Sequence, residues 1–295
     1  MKKSYAMIAA AGVLWGLLSL FFKVLSAVGM TAPQAVGVRT AVAACALWLY
    51  LAVRDPAALR LKSPKHLWYF VGTGMVSLAF FNSCYFACIE RATIGVAALL
   101  LYTATAFVML FSAVLFGERL TARKLAALVL AVAGCGLATG AFEGRLSLSL
   151  TALLFGLGSG VGYALYTIFG KYALRDYSST TITAYTLLFA ALGVAPFAQP
   201  VQALRLAVSS PAALLAALMA GILCTVAPYL LYTRGLARVD AGRASILASI
   251  EPVVAALVGV LFFHEGLRAD KLAGMALVLG AIALLNLPAR EQKTA

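Results

Sequence analysis

The chain has 295 residues, of which 63% are hydrophobic and only 11% charged. A soluble domain carries about 25% charged residues, so this chain cannot clothe a water-facing surface, and the bilayer must be its main solvent. The net charge of +13 does not point to nucleic acid, because the basic residues lie between apolar runs rather than on one face.

The N-terminal MKKSY leads into an apolar run longer than a signal-peptide core, and the run reads as a retained first span. Stretches long enough to cross a bilayer lie at 5–27, 33–53, 67–89, 93–116, 122–141, 149–172, 179–198, 211–233, 241–263 and 269–287. Pro33, Pro56, Pro64, Pro200, Pro211 and Pro288 lie at or between their ends, where proline punctuates. No long loop is left to form a soluble domain. With the N-terminus inside, 16 of the 23 Lys and Arg fall in inner segments. Only Arg91, Arg145, Arg205, Arg268 and Lys271 fall in outer ones, and Lys23 and Arg39 lie within spans. This positive-inside bias predicts a multi-pass protein of the cell's inner membrane with both termini cytoplasmic and residues 143–147 outside.

The chain repeats itself. LFGERLTARKL at 115–125 and FFHEGLRADKL at 262–272 share six of eleven positions at an offset of 147, among them Glu118/Glu265 and Lys124/Lys271. Tyr85/Tyr232, Arg91/Arg238 and Gly95/Gly242 pair at the same offset, and Trp15/Tyr163 and Lys23/Lys171 at 148. Five spans per half invert the second copy, so the expected units are 1–145 and 146–295. Inverted repeats supply the two mirror-related conformations of alternating access, with the substrate between them. The expected fold class is therefore an all-α membrane protein of ten transmembrane helices in two inverted five-helix repeats.

The stretches VLWGLLSLFFK at 13–23, YTATAFVMLFSAVLFGERLT at 102–121 and SIEPVVAALVGVLFFHE at 249–265 resemble the EamA-type members of the drug/metabolite transporter superfamily. The resemblance covers nearly the whole chain. It implies ten helices, inverted five-helix repeats and export of amino acids, other metabolites or drugs, without naming a substrate. Thr105 stands where many members have proline, whereas Pro252 is kept. The fourth and ninth spans are therefore not expected to break alike.

Glu251 is the most informative residue, set near the middle of the ninth span. A carboxylate there costs about 2.5–3.5 kcal/mol on insertion scales and ordinarily faces a cavity or a partner. It reads either as a proton site or counter-charge for an amine, or as a structural acid bonding backbone freed by Pro252. The two readings stand level. Glu118 and Glu265, at span ends, read as interfacial acids that cap or pair locally, and Lys23 as a snorkelling residue. Tyr5, Trp68, Tyr69 and Tyr177 fit an interfacial belt. Deeper polar and aromatic groups need partners, and the candidate substrate-binding set is Trp15, Ser19, Asn82, Tyr85, Tyr102, Tyr163, Tyr229, Tyr232 and Glu251. It is placed among spans one, three, four, six, eight and nine. Aromatic faces accept apolar surface and cations alike, so the set suits an amino acid or amine-like metabolite. A sugar phosphate is disfavoured, because the acid repels anions and no arginine is expected at that depth.

Cys45, Cys84, Cys88, Cys135 and Cys224 are scattered without metal or disulfide spacing. No cofactor, catalytic residue or nucleic-acid partner is expected; the partners are a small-molecule substrate and the lipid bilayer. Small residues four apart, as in Gly156/Gly160, Gly158/Gly162 and Gly136/Gly140, mark close helix contacts, first between neighbours and second in a homodimer. The leading reading is a secondary exporter working by proton coupling, exchange or facilitation. The competing class is an intramembrane enzyme acting on a lipid-like substrate. The sequence offers that class little: no HExxH, no GxSxG and no paired acids at depth.

Overall fold

The computed structural model describes residues 2–141, 149–266 and 268–286. Residues 143–147 and the C-terminus, whose sides were predicted from charge, lie outside the described residues. The protein is an all-α membrane protein, and no strand occurs among the described residues. Eight helical segments are long and apolar enough to cross a membrane: Lys2–Ala27, Ala32–Arg54, Pro64–Ile89, Ile94–Phe116, Leu150–Ala173, Ser179–Ala198, Pro211–Leu236 and Ala241–Phe263. Helices Ala122–Ala138 and Ala269–Asn286 occupy the fifth and tenth places along the chain. Hydroxyl caps set many of the starts. The side chains of Thr93, Thr121, Ser149, Ser178 and Ser210 each accept from a backbone N–H three residues on, satisfying a donor that the first helical turn leaves free.

Equivalent segments of the two halves pack against each other in opposite directions. Gly134 of the fifth segment meets Val278 of the tenth, while Ala138 meets Gly274, so the partner residue falls as the first one rises. The second and seventh segments do the same, with Gly37 against Ala198 and the Trp48 indole donating to the Ala184 carbonyl. The first segment pairs with the eighth, and the third with the sixth, which are mates under the same exchange. This antiparallel pairing is the geometry that inversion of one half relative to the other requires.

Several segments are broken. The first changes course at Leu17, between helices Lys2–Gly16 and Leu18–Ala27. The third and eighth each contain a wider-wound stretch, Gly72–Ala79 and Ile222–Val226. The fourth breaks at Thr103, between Ile94–Tyr102 and Ala104–Phe116, and the ninth at 249–250, between Ala241–Ala248 and Glu251–Phe263. The expectation that the fourth and ninth would not break alike is thus corrected: Thr103 and Ile250 are mates at offset 147. Proline is not needed at the fourth. The hydroxyl of Thr103 donates to the Leu100 carbonyl, while its own N–H also bonds Leu100, tightening the turn locally.

The breaks lie where helices cross. A Cβ on Gly12 would stand 2.6 Å from Ile250 and 2.9 Å from the Ala248 carbonyl oxygen. A Cβ on Gly160, its mate at 148, would stand 2.7 Å from the Thr103 hydroxyl and 2.9 Å from the Leu100 carbonyl oxygen. Each half's first segment therefore crosses the other half's broken fourth segment through a glycine. Gly156 and Gly162 likewise receive Leu100 and Phe81, so these small residues serve contacts between neighbours.

Two features of the ends differ from expectation. Helix Pro200–Ala207 lies where a loop was predicted; it buries Ala203 and Ala207 and exposes Val201 and Leu204, as an interfacial helix does. Of the four belt aromatics, Trp68 is exposed, but Tyr69 and Tyr177 are buried. The Tyr69 hydroxyl donates to Asp176 at 2.8 Å, and that of Tyr177 accepts from the Lys62 N–H at 3.0 Å. They fasten loops rather than face headgroups.

Candidate functional site

A cavity of about 170 Å³ lies between the halves. Its wall includes Trp15, Asn82, Tyr85, Tyr102, Tyr163, Tyr229 and Glu251, seven of the nine candidate residues, together with Phe22, Phe81, Leu101 and Arg39. The other two candidates lie elsewhere. The Ser19 hydroxyl donates to the Gly16 carbonyl at 2.9 Å. That carbonyl is left over because the Leu20 N–H bonds Leu17 instead, so Ser19 mends the kink of the first segment. Tyr232 is buried one layer away, its hydroxyl 2.7 Å from that of Thr167.

Segment breaks position the polar groups. Glu251 is the first residue of helix Glu251–Phe263, followed by Pro252, so proline falls in a first turn that needs no N–H. The carboxylate is thus presented at an interrupted helix rather than from the flank of a continuous one. Tyr163 donates to it at 3.5 Å, and the hydroxyl of Tyr102 lies beside it. The backbone of the first segment passes close by, with Gly16 against the Glu251 carbonyl. Asn82 spends its amide on the Leu78 carbonyl at 2.7 Å, and Tyr163 meets Phe81 edge-on at 5.4 Å.

Arg39 corrects the expectation of an arginine-free site. It lies in the second segment, is 6% exposed, and lines the same cavity as Glu251. One guanidinium nitrogen donates to the Thr225 hydroxyl at 3.2 Å, and Thr225, in the wide-wound stretch, in turn donates to the Ala220 carbonyl of the preceding turn. Its partner is distant in sequence, and sequence spacing gave no sign of the meeting. The second segment therefore joins the six expected to line the site.

One side of the cavity is closed. Trp15 packs on Tyr229 at 5.3 Å and Tyr232 at 5.5 Å, and Tyr166 on Tyr229 at 5.1 Å. The Tyr166 and Thr233 hydroxyls share a 2.7 Å bond. Beyond this aromatic floor, Glu118 accepts from the N–H groups of Ala241 at 2.7 Å and Gly242 at 3.3 Å. Lys124 and Lys171 lie 3.7 and 4.0 Å from the same carboxylate, and Lys124 also reaches Asp240 at 3.3 Å. Glu118 thus ends its own segment by capping the ninth, binding the halves together.

The opposite side is open. A second space of about 310 Å³, which shares Asn82 and Phe86 with the cavity wall, continues past Pro33 and Glu90 to the loop ends. Glu265, which alternation of the segments puts at this end, is 49% exposed on its side chain and, among the described residues, pairs only with Lys271 at 3.6 Å. Lys23 lies over the Phe263 ring at 3.8 Å.

Known proteins share this architecture. A crystal structure of 21% identity superposes with a TM-score of 0.77 over 96% of this chain and 98% of that one. An uncharacterized transporter of Archaeoglobus fulgidus is 33% identical over 215 residues, 71% of this chain and 75% of that protein. The threonine/homoserine exporter RhtA of Escherichia coli is 27% identical over 222 residues, 74% of this chain and 70% of that protein. The sequence matches the EamA-like transporter family twice, over residues 2–140 and 150–287. A cavity between two antiparallel halves, on a chain so matched, is that of a membrane transporter and not of an enzyme, and the protein belongs to the EamA-like transporter family.

Proposed function

We propose that this transporter exports a small amphipathic metabolite carrying an amine, an amino acid above all, across the inner membrane. It does so by alternating access between two inverted repeats, 1–145 and 146–295, with both termini cytoplasmic. The observation that carries the reading is Glu251: a carboxylate at a helix break, facing a cavity walled by Trp15, Tyr85, Tyr102, Tyr163 and Tyr229. An ionisable side chain at such depth marks a transport pathway unless it has a structural partner. Glu251 has hydroxyl neighbours, but among the described residues it forms no ion pair. A substrate ammonium would meet the carboxylate and the aromatic faces together, and the same group can carry a proton on the return. The similarity to RhtA, whose name records threonine and homoserine export, supports the amino-acid reading.

The test is flux in proteoliposomes. Labelled neutral amino acids should move, faster with a proton gradient imposed, and a hexose phosphate should not. Glu251→Gln should abolish the gradient effect and most of the flux while leaving the melting temperature nearly unchanged. Normal gradient-driven flux in that variant, or transport of hexose phosphate in preference to amino acids, would overturn the reading.

A further inference from the structure

We propose that Arg39 is the carboxylate-binding group of the central cavity, so that the site selects a zwitterion rather than an amine; this rests on the reading of the site given above. A guanidinium carries five N–H donors. Among the described residues that of Arg39 forms one hydrogen bond, to Thr225, and lies 5.9 Å from the Phe22 ring, while Nε is buried without a hydrogen-bond partner. Among the described residues no acid pairs with Arg39. A buried charge left so poorly satisfied is costly. A structural arginine at this depth would be expected to have found a carboxylate. Glu251 stands on the same wall yet forms no ion pair with it. The cavity therefore holds one cation and one acid held apart, each facing the space between them. An α-amino acid completes both: its carboxylate takes the planar fork of Arg39 in paired N–H···O bonds. Its ammonium goes to Glu251, and its side chain to the aromatic wall. A plain amine leaves Arg39 bare, and a plain carboxylic acid leaves Glu251 bare.

The experiment compares an amino acid, its methyl ester and its decarboxylated amine as competitors of labelled amino-acid flux. The wild-type chain should prefer the amino acid to the ester and the amine by roughly ten- to hundred-fold, as expected for loss of a charged hydrogen-bonded pair. Arg39→Gln, which keeps a donor for Thr225, should erase this preference by weakening the amino acid and leaving the other two nearly unchanged. Arg39→Lys should recover part of it. The comparison in the wild type removes the carboxylate from the ligand, so it stands even if a variant fails to fold. If all three compete equally in the wild type, Arg39 does not read the carboxylate although the transport function stands. Parallel loss of all three in Arg39→Gln, with a lowered melting temperature, would make the residue a brace for the eighth segment. Failure of any amino acid to move would sink the underlying function instead.

A separate observation carries a second inference: the geometry points to Glu118 and Glu265 as alternating latches. At the closed end Glu118 caps the N-terminus of Ala241–Ala248 and lies near Lys124 and Lys171. Every part has a mate at the open end: Glu265, Lys271, Lys23, and the N–H groups of residues 94 and 95. There the parts stand apart. Among the described residues Glu265 keeps only Lys271, Lys23 rests on Phe263, and Ile94–Tyr102 is capped by its own Thr93. In the opposite-facing state Glu265 caps residues 94 and 95 and gains Lys23, while Glu118 releases the ninth segment, whose break at 249–250 lets the short half-helix move alone.

Hydrogen exchange reads this directly. In the wild type the amides of 241–244 should exchange more slowly than those of 94–97. Glu118→Gln should speed exchange at 241–244 and slow it at 94–97, as the population shifts. Glu265→Gln should leave the 94–97 amides fast and still impair flux, since the second latch never closes. Local change confined to the mutated end, or change of one sign at both ends, would overturn the latch. So would normal flux in Glu265→Gln.

Discussion

Glu251, Arg39 and the tyrosines act through where their polar atoms point, and the structure separates residues that the sequence treats alike. Tyr85 and Tyr232 are repeat mates at comparable depth, yet Tyr85 lines the cavity while Tyr232 lies in the floor, bonded to Thr167 and packed on Trp15. Tyr85→Ala should weaken substrate binding by about 1.5–3 kcal/mol at most, the value of burying one large side chain, with little loss of thermal stability. Tyr232→Ala should leave a hole beneath the site and cost about 3–5 kcal/mol of stability, with binding affected less. Melting curves and competition isotherms on the two variants separate the effects; matching effects on binding would mean that the floor is part of the site. Much of the candidate site was legible at this scale, because a deep carboxylate, amide or phenol in an apolar run demands a partner. What stayed hidden depended on distant pairing. Ser19 looked like a wall residue because nothing in the sequence shows that Leu20 abandons the Gly16 carbonyl. Arg39 was left out of the site because its neighbours Thr225 and Glu251 come from the other half.

The helical elements were legible in position and less so in shape. Apolar run length fixes where a segment can cross a bilayer, and the Ser and Thr caps fix many of the starts. The break in the fourth segment was not legible, because the expected signal was proline and the chain uses Thr103 with a glycine crossing at Gly160. Helix Pro200–Ala207 was missed for a related reason: eight residues are too few for a span, and its Ala203 and Ala207 are weakly apolar. The left-handed caps show how closely the repeat is kept even where composition differs. Gly117 and His264 both adopt positive φ, at 66° and 53°, although only glycine does so without steric cost. In both cases the next residue is the glutamate, whose N–H bonds back to Ser112 or to its mate Gly259. The turns match, and what differs between the two ends is the carboxylate's partners: the Ala241 and Gly242 N–H groups with Lys124 and Lys171 at Glu118, and Lys271 at Glu265.

At the scale of the whole molecule, the halves pack antiparallel and share one cavity. The end bearing Glu118 is shut by aromatic rings and ion pairs, while the end bearing Glu265 is open. The inverted repeat was readable from an offset of 147 residues; the state in which the chain rests was not. Under the proposed alternating access, two mirror-related conformations would share one sequence pattern, and only contacts tell them apart. The direct test uses Ala98, a small residue of the cavity wall, changed to cysteine in a chain whose five native cysteines have been replaced. A membrane-impermeant thiol reagent added outside intact cells should label Ala98→Cys readily, and saturating substrate should slow the labelling. Reagent applied to inside-out vesicles should label it only under conditions of turnover. Labelling from the cytoplasmic face alone, or labelling that substrate leaves unchanged, would contradict a central substrate cavity open to the outside.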